Sequence, residues 1–278
     1  MTVAEFTPIV FVAALLAGFL GSLTGLGGGV IVTPVLTLFL GVDLRYAIGA
    51  SLVSVIATSS GAAAAYVRDG YSNIRIGMFL EIATTLGALF GAFLGTHIPA
   101  RYLSVLFGII LFQAAWQTSR QRKHSNTPLP PDPLATRLRL NGAFRTDEGP
   151  RRYEVHRVKT GFGLMLGAGT ISGLLGIGSG SLKVVAMDQA MQIPFKVSTA
   201  TSNFMIGVTA AASASIYLSR GYIDPAIAMP VMLGVLAGSM IGARYLARLS
   251  VPLLRKVFAM VVGLVAIEMI VNGVTGRV

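Results

Sequence analysis

Gly25-Leu26-Gly27-Gly28-Gly29 interrupts an apolar run that begins near Phe6, and Gly176-Ile177-Gly178-Ser179-Gly180 interrupts another that begins near Thr160. Gly25 and Gly176 are 151 positions apart. Each glycine lowers helix propensity by about 1 kcal/mol relative to alanine and uncovers backbone. Lipid cannot hydrogen-bond that backbone, so a break at membrane depth must be buried in protein or line a cavity. Matching breaks in the two halves of a chain are the best pointer a sequence gives to a transporter's binding site.

The flanks make these membrane segments. Of 278 residues, 54% are hydrophobic and 12% charged, where a soluble domain carries about a quarter charged. Runs such as 9–23, 47–67 and 76–98 are apolar or small almost throughout, with no polar face for water. The chain is predicted to be an all-α polytopic membrane protein. It has no cysteine and three histidines, His97, His124 and His156, which excludes disulfides and thiol chemistry and argues against a metal site. No Ser-His-Asp set, HExxH or P-loop is present, so no catalytic residues, metal or cofactor are expected. Met1–Glu5 carries no Lys or Arg ahead of the first run, which is therefore expected to be a retained segment and not a cleaved signal.

Net charge is +11. Much of the excess falls in 118–159, with Arg120, Arg122, Lys123, Arg137, Arg139, Arg145, Arg151, Arg152, Arg157 and Lys159. A basic loop between membrane segments is what the positive-inside rule expects, and it outweighs a nucleic-acid reading.

Ten apolar segments can be drawn, about 7–24, 28–40, 46–67, 75–98 and 101–117, then 160–175, 179–191, 197–218, 224–247 and 251–272. The second in each half is short for a bilayer, which needs about 20 residues, and is expected to be a half-helix or a re-entrant arm folding back from the break. The halves align without a gap at an offset of 151: Gly18 with Gly169, Leu23 with Leu174, Ser51 with Ser202, Tyr66, Gly70 and Tyr71 with Tyr217, Gly221 and Tyr222, Met78 with Met229, Phe107 with Phe258. This is an internal duplication. Residues 1–117 form the first membrane repeat, 118–159 an exposed basic linker around Pro128-Leu129-Pro130-Pro131, and 160–278 the second repeat.

With the linker in the cytoplasm, inverted halves place Arg68, Arg75, Lys196, Arg248, Arg255 and Lys256 inside. Only Arg45, Arg101, Arg220 and Arg277 then fall outside. The positive-inside rule therefore favours two inverted repeats of about 8–10 membrane segments in all, with both termini outside. Gly87, Gly91 and Gly95, and Gly234, Gly238 and Gly242, lie four apart on single faces, spacing that suits close helix packing better than ligand contact.

The breaks also offer chemistry. Backbone N–H groups of Gly27, Gly28 and Gly29, and of Gly178, Ser179 and Gly180, would be free to meet an anion. Thr24, Ser51, Ser179, Ser181, Ser202 and the Asn203 amide would add side-chain donors, the alternative being hydroxyls that bond their own helices. Lys183 would supply fixed positive charge, since a lysine in such a segment is a functional-site hypothesis by default, against snorkelling to the interface. Asp188 is a poor partner for it at a spacing of five. Glu81 and Glu268 could carry a coupling proton, but their positions toward segment ends favour the interface.

Gly21-Ser22-Leu23-Thr24-Gly25-Leu26-Gly27-Gly28-Gly29-Val30-Ile31-Val32-Thr33-Pro34 and Ala47-Ile48-Gly49-Ala50-Ser51-Leu52 resemble the TauE/SafE family of sulfite and organosulfonate exporters. So do their second copies, from Gly173 to Val185 and from Ser198 to Asn203. The resemblance spans both halves but not the linker. It implies a secondary transporter exporting a small sulfur-containing anion, sulfite or a sulfonate such as sulfoacetate, across the plasma membrane by alternating access. Two departures stand out: Ser179 where many members have glycine, and Val185 where they have a proline, a lost kink. The alternatives are an anion channel and a membrane scaffold or assembly protein that transports nothing. Expected partners are the small anion, the lipid bilayer and a second copy in a homodimer, with no nucleic acid.

Overall fold

The computed structural model describes residues 3–24, 29–68, 72–119, 132–146, 149–246 and 251–276. The first half comprises α1 (Val3–Thr24), α2 (Gly29–Pro34) running into a π-helical turn (Val35–Phe39), α3 (Leu44–Arg68), α4 (Ile74–His97) and α5 (Ala100–Ser119). The second half comprises α7 (Val158–Leu175), α8 (Gly180–Val185) with its own π-turn (Ala186–Ala190), α9 (Phe195–Ser219), α10 (Pro225–Leu246) and α11 (Val251–Thr275). Every element of the second half from α8 onward begins 151 residues after its counterpart. The π-turn follows Pro34 in one arm and Val185 in the other, so the second arm keeps the irregularity without the proline.

Packing is reciprocal between the halves. α1 lies on α10 as α7 lies on α4, α3 meets α10 as α9 meets α4, and the pairs α3–α9 and α5–α11 close the exchange. Such an interchange is what a two-fold relation produces. Small residues set the helix separations. A Cβ on Gly91 would lie 2.0 Å from Thr170 O of α7, and one on Gly238 would lie 2.0 Å from Leu15 O of α1. The stripes therefore serve close helix packing, as their spacing predicts.

The outer surface is apolar. Val12 and Leu16 of α1, Ile82, Leu86 and Phe90 of α4, Ile109 and Phe112 of α5, and Met260, Leu264 and Ile267 of α11 are each more than half exposed. A surface of this kind faces lipid tails, and α4 and α7 are long and apolar enough to cross them. The protein is a polytopic helical membrane protein.

The linker is folded over 132–146 and 149–159, although its composition reads as an exposed connector. It forms α6 (Pro133–Arg137) and a hairpin of β1 (Gly142–Thr146) paired antiparallel with β2 (Gly149–Tyr153). Ala135, Leu140 and Val155 are buried against Ile76 and Leu80 of α4 and Val158 and Met165 of α7. Asp132 fastens it, accepting from Leu134 N at 2.8 Å to cap α6 and from Val158 N at 2.7 Å in the first turn of α7. The Val158 bond, more than any other influence, holds its carboxyl below the usual carboxylate range.

The ends of α4 define two faces, about 36 Å apart for 24 residues at 1.5 Å each. At its start, Asn73 Nδ2 donates to Leu140 O and the Tyr153 hydroxyl, and Asn73 N donates to Thr201 Oγ1 in the second turn of α9. At its finish, Ile98 O accepts from the Arg45 guanidinium in the first turn of α3 (3.1 Å), while Tyr46 packs edge-on to Tyr222, beyond the end of α9. The equivalent helices α3 and α9 thus enter the bundle from opposite faces.

Candidate functional site

The arm after the second break returns to the face it left. Met191 O, just past the π-turn, accepts from His156 N at 3.0 Å beside the start of α7, and a Cβ on Gly161 would collide with Met191 Sδ. α7 and the arm Gly180–Ala190 therefore form a hairpin with the glycine break at its tip. Three left-handed residues make the tip: Gly176 (φ +67°), Gly178 (φ +69°) and Ser179 (φ +45°). Glycine takes these angles freely; serine does not.

The two breaks meet. Ser51 Oγ lies 3.0 Å from Gly29 O and 2.9 Å from Gly176 O, so one buried hydroxyl of α3 stands between them. Val55, one turn on, flanks Gly29 and Gly178. Ser202, the repeat counterpart of Ser51, donates to Gly180 O at 3.1 Å. The protons of Ser51 and Ser202 are thus directed at backbone carbonyls of the breaks.

The other candidate residues fall as follows. Ser179 is 2% exposed and its Oγ has no hydrogen-bond partner. Thr33 Oγ1 in the first arm and Ser172 Oγ in the last turn of α7 are likewise buried and unpartnered. Asn203 is half-buried on α9. Thr24 ends α1 and Ser181 lies in the first turn of α8, but their side chains, and Gly27 and Gly28 entirely, lie outside the described residues.

Lys183 is 0% exposed, so it does not snorkel. Its Nζ donates to Thr209 Oγ1 of α9, and Thr209 Oγ1 lies 2.7 Å from Glu81 Oε1 of α4. Glu81 is 7% exposed and sits in the bundle interior, where its place in the sequence favoured the interface. Burying a lone ion costs several kcal/mol, and this arrangement offsets the cost by bringing two opposite charges to one hydroxyl. Thr209 and the Glu81–Lys183 link went unseen in the sequence. The available signal was the repeat itself: Lys183 and Glu81 both break it, standing opposite Val32 and Met232, while Thr209 keeps its counterpart Thr58.

Short broken helices meeting inside an apolar helical bundle, the second of them re-entrant, beside buried charge, define a membrane transporter. Residues 10–269 match the family model for the sulfite exporter TauE/SafE. The chain belongs to that family. It is 28% identical over 273 residues to Probable membrane transporter protein YunE of Bacillus subtilis, covering 96% of this chain and 98% of that one. It is 28% identical over 260 residues to a Probable membrane transporter protein of Xylella fastidiosa (92% and 91% covered). Over 278 residues it is 24% identical to Probable membrane transporter protein MJ0441 of Methanocaldococcus jannaschii (95% of each). No solved structure matches the chain.

Proposed function

We propose that the protein is a secondary carrier exporting a small sulfur oxyanion, sulfite or an organosulfonate such as sulfoacetate, across the plasma membrane by alternating access. The observation that carries the reading is the meeting of the two breaks at Ser51, with the unpartnered hydroxyl of Ser179 at one tip and Lys183 in the arm behind it. A buried hydroxyl left without a partner costs about 1–3 kcal/mol, which a bound oxyanion would relieve. In this account Gly178–Gly180 and the first-break glycines offer backbone N–H groups, and Ser179, Ser181, Asn203 and Thr24 add donors. Lys183 supplies the charge, and Ser51 and Ser202 hold the break carbonyls in place.

The halves are read as inverted repeats, with the linker in the cytoplasm. The opposite entry of α3 and α9 supports this, as do Arg75 and Lys196 at the linker face and Arg45 and Arg220 at the other. The test is a thermal-shift panel of sulfite, sulfoacetate, taurine, thiosulfate and sulfate on purified protein. Sulfite or a sulfonate should raise the melting temperature of the wild type and leave Lys183→Ala unmoved. A panel without effect on the wild type would overturn the reading.

A further inference from the structure

The two buried charges that break the internal repeat meet at one hydroxyl, that of Thr209. Lys183 replaces the Val32 of the first half, and Glu81 replaces the Met232 of the second. Because α4 of one half packs on α9 of the other, both departures fall in one place. Its two-fold counterpart, around Val32, Thr58 and Met232, is uncharged.

The carboxylate is only partly satisfied. Glu81 Oε1 accepts from Thr85 Oγ1 at 3.1 Å and faces Thr209 Oγ1 at 2.7 Å, while the buried Oε2 has no hydrogen-bond partner. Thr209 has a single proton, for which Met205 O at 3.0 Å also competes. Other ionisable groups on the surrounding elements are few. α7 carries only Lys159, exposed in its first turn. α9 carries Lys196, exposed in its first turn, and Tyr217, whose hydroxyl donates to Leu174 O. The π-turn after Lys183 carries Asp188, half-buried, and α4 itself carries Arg75 in its first turn and His97 in its last.

We propose that Glu81 is the coupling residue of the carrier: it neutralises Lys183 when no anion is bound, and it takes up one proton when an anion displaces it. The inference rests on the anion-binding reading above. Two anions against one buried ammonium repel each other. A sulfonate stays ionised, so the carboxylate is the group that yields by binding a proton from water. Charge balances: Lys183 and Glu81 sum to zero before, and Lys183, a monoanion and protonated Glu81 sum to zero after. One proton therefore travels with each monoanion, and the buried site never holds unpaired charge. Neutral residues at the counterpart positions leave the protein one such site, not two.

The test is calorimetric titration of the purified full-length protein with sodium methanesulfonate in two buffers of different ionisation enthalpy, repeated across pH. Wild type should take up about one proton per anion and lose affinity about tenfold per pH unit above the range where Glu81 stays protonated in the complex. In the range where Lys183 keeps its charge, Glu81→Gln should bind methanesulfonate without that uptake and vary less than about twofold with pH. The double variant Glu81→Met, Lys183→Val copies the uncharged counterpart site, which guards against a folding defect, and should bind nothing. Binding by the wild type without proton uptake, uptake that survives Glu81→Gln, or binding by the double variant would overturn the coupling role and leave anion binding standing. If neither methanesulfonate nor sulfite binds the wild type, the anion-binding reading itself falls.

Discussion

Ser179 holds a left-handed backbone angle (φ +45°) that glycine would hold with less strain. Ser179→Gly should stabilise the protein by about 1 kcal/mol in a thermal melt, and weaken sulfite binding by removing an unpartnered donor. A merely structural serine would give the first effect alone. Asp132 belongs to the same scale. Its carboxyl is lowered by the Val158 N–H, so its stabilisation of the linker is complete above the unfolded value of about 3.9 and is lost as pH falls from there through the folded value. Hydrogen exchange at the Val158 amide should thus stay protected at about pH 5 and open at lower pH, and Asp132→Asn should remove much of that dependence. Neither role was legible beforehand. Ser179 could be singled out as a departure from glycine, but not as a strained residue. Asp132 sat in a stretch whose prolines and charges read as an exposed connector, because composition does not show which carboxylate a distant N–H will find.

Among elements, the hairpins were the more legible. An eleven-residue arm after a glycine break is too short to cross a bilayer, and the second arm folds back. The π-turns left no mark in the sequence, since one follows proline and the other valine. The glycine stripes read correctly because spacing of four has one dominant use in membranes, the close approach of helices. Gly91→Leu and Gly238→Leu should each force α4 from α7, or α10 from α1, and cost about 1–3 kcal/mol or more. A melt in detergent checks this, and the same change at Gly167, where a Cβ would meet nothing within 4 Å, should cost far less.

At the scale of the molecule, the duplication was legible because each helix keeps its register at an offset of 151. The pairing of the halves was not: nothing local says that α4 meets α9, and so the Glu81–Thr209–Lys183 link stayed hidden. The inverted reading makes a topological prediction. The chain has no cysteine, so single cysteines report without background. On intact cells a membrane-impermeant maleimide should label Arg220→Cys and spare Arg151→Cys, and disrupted cells should label both.

Transport of a sulfur oxyanion through the paired breaks is the central claim. Proteoliposomes loaded with radiolabelled sulfite measure it most directly. Efflux should be accelerated by unlabelled sulfite outside, as a carrier requires, and abolished by Lys183→Ala. Efflux no faster than from empty liposomes, or sustained unitary current with no response to outside sulfite, would contradict it.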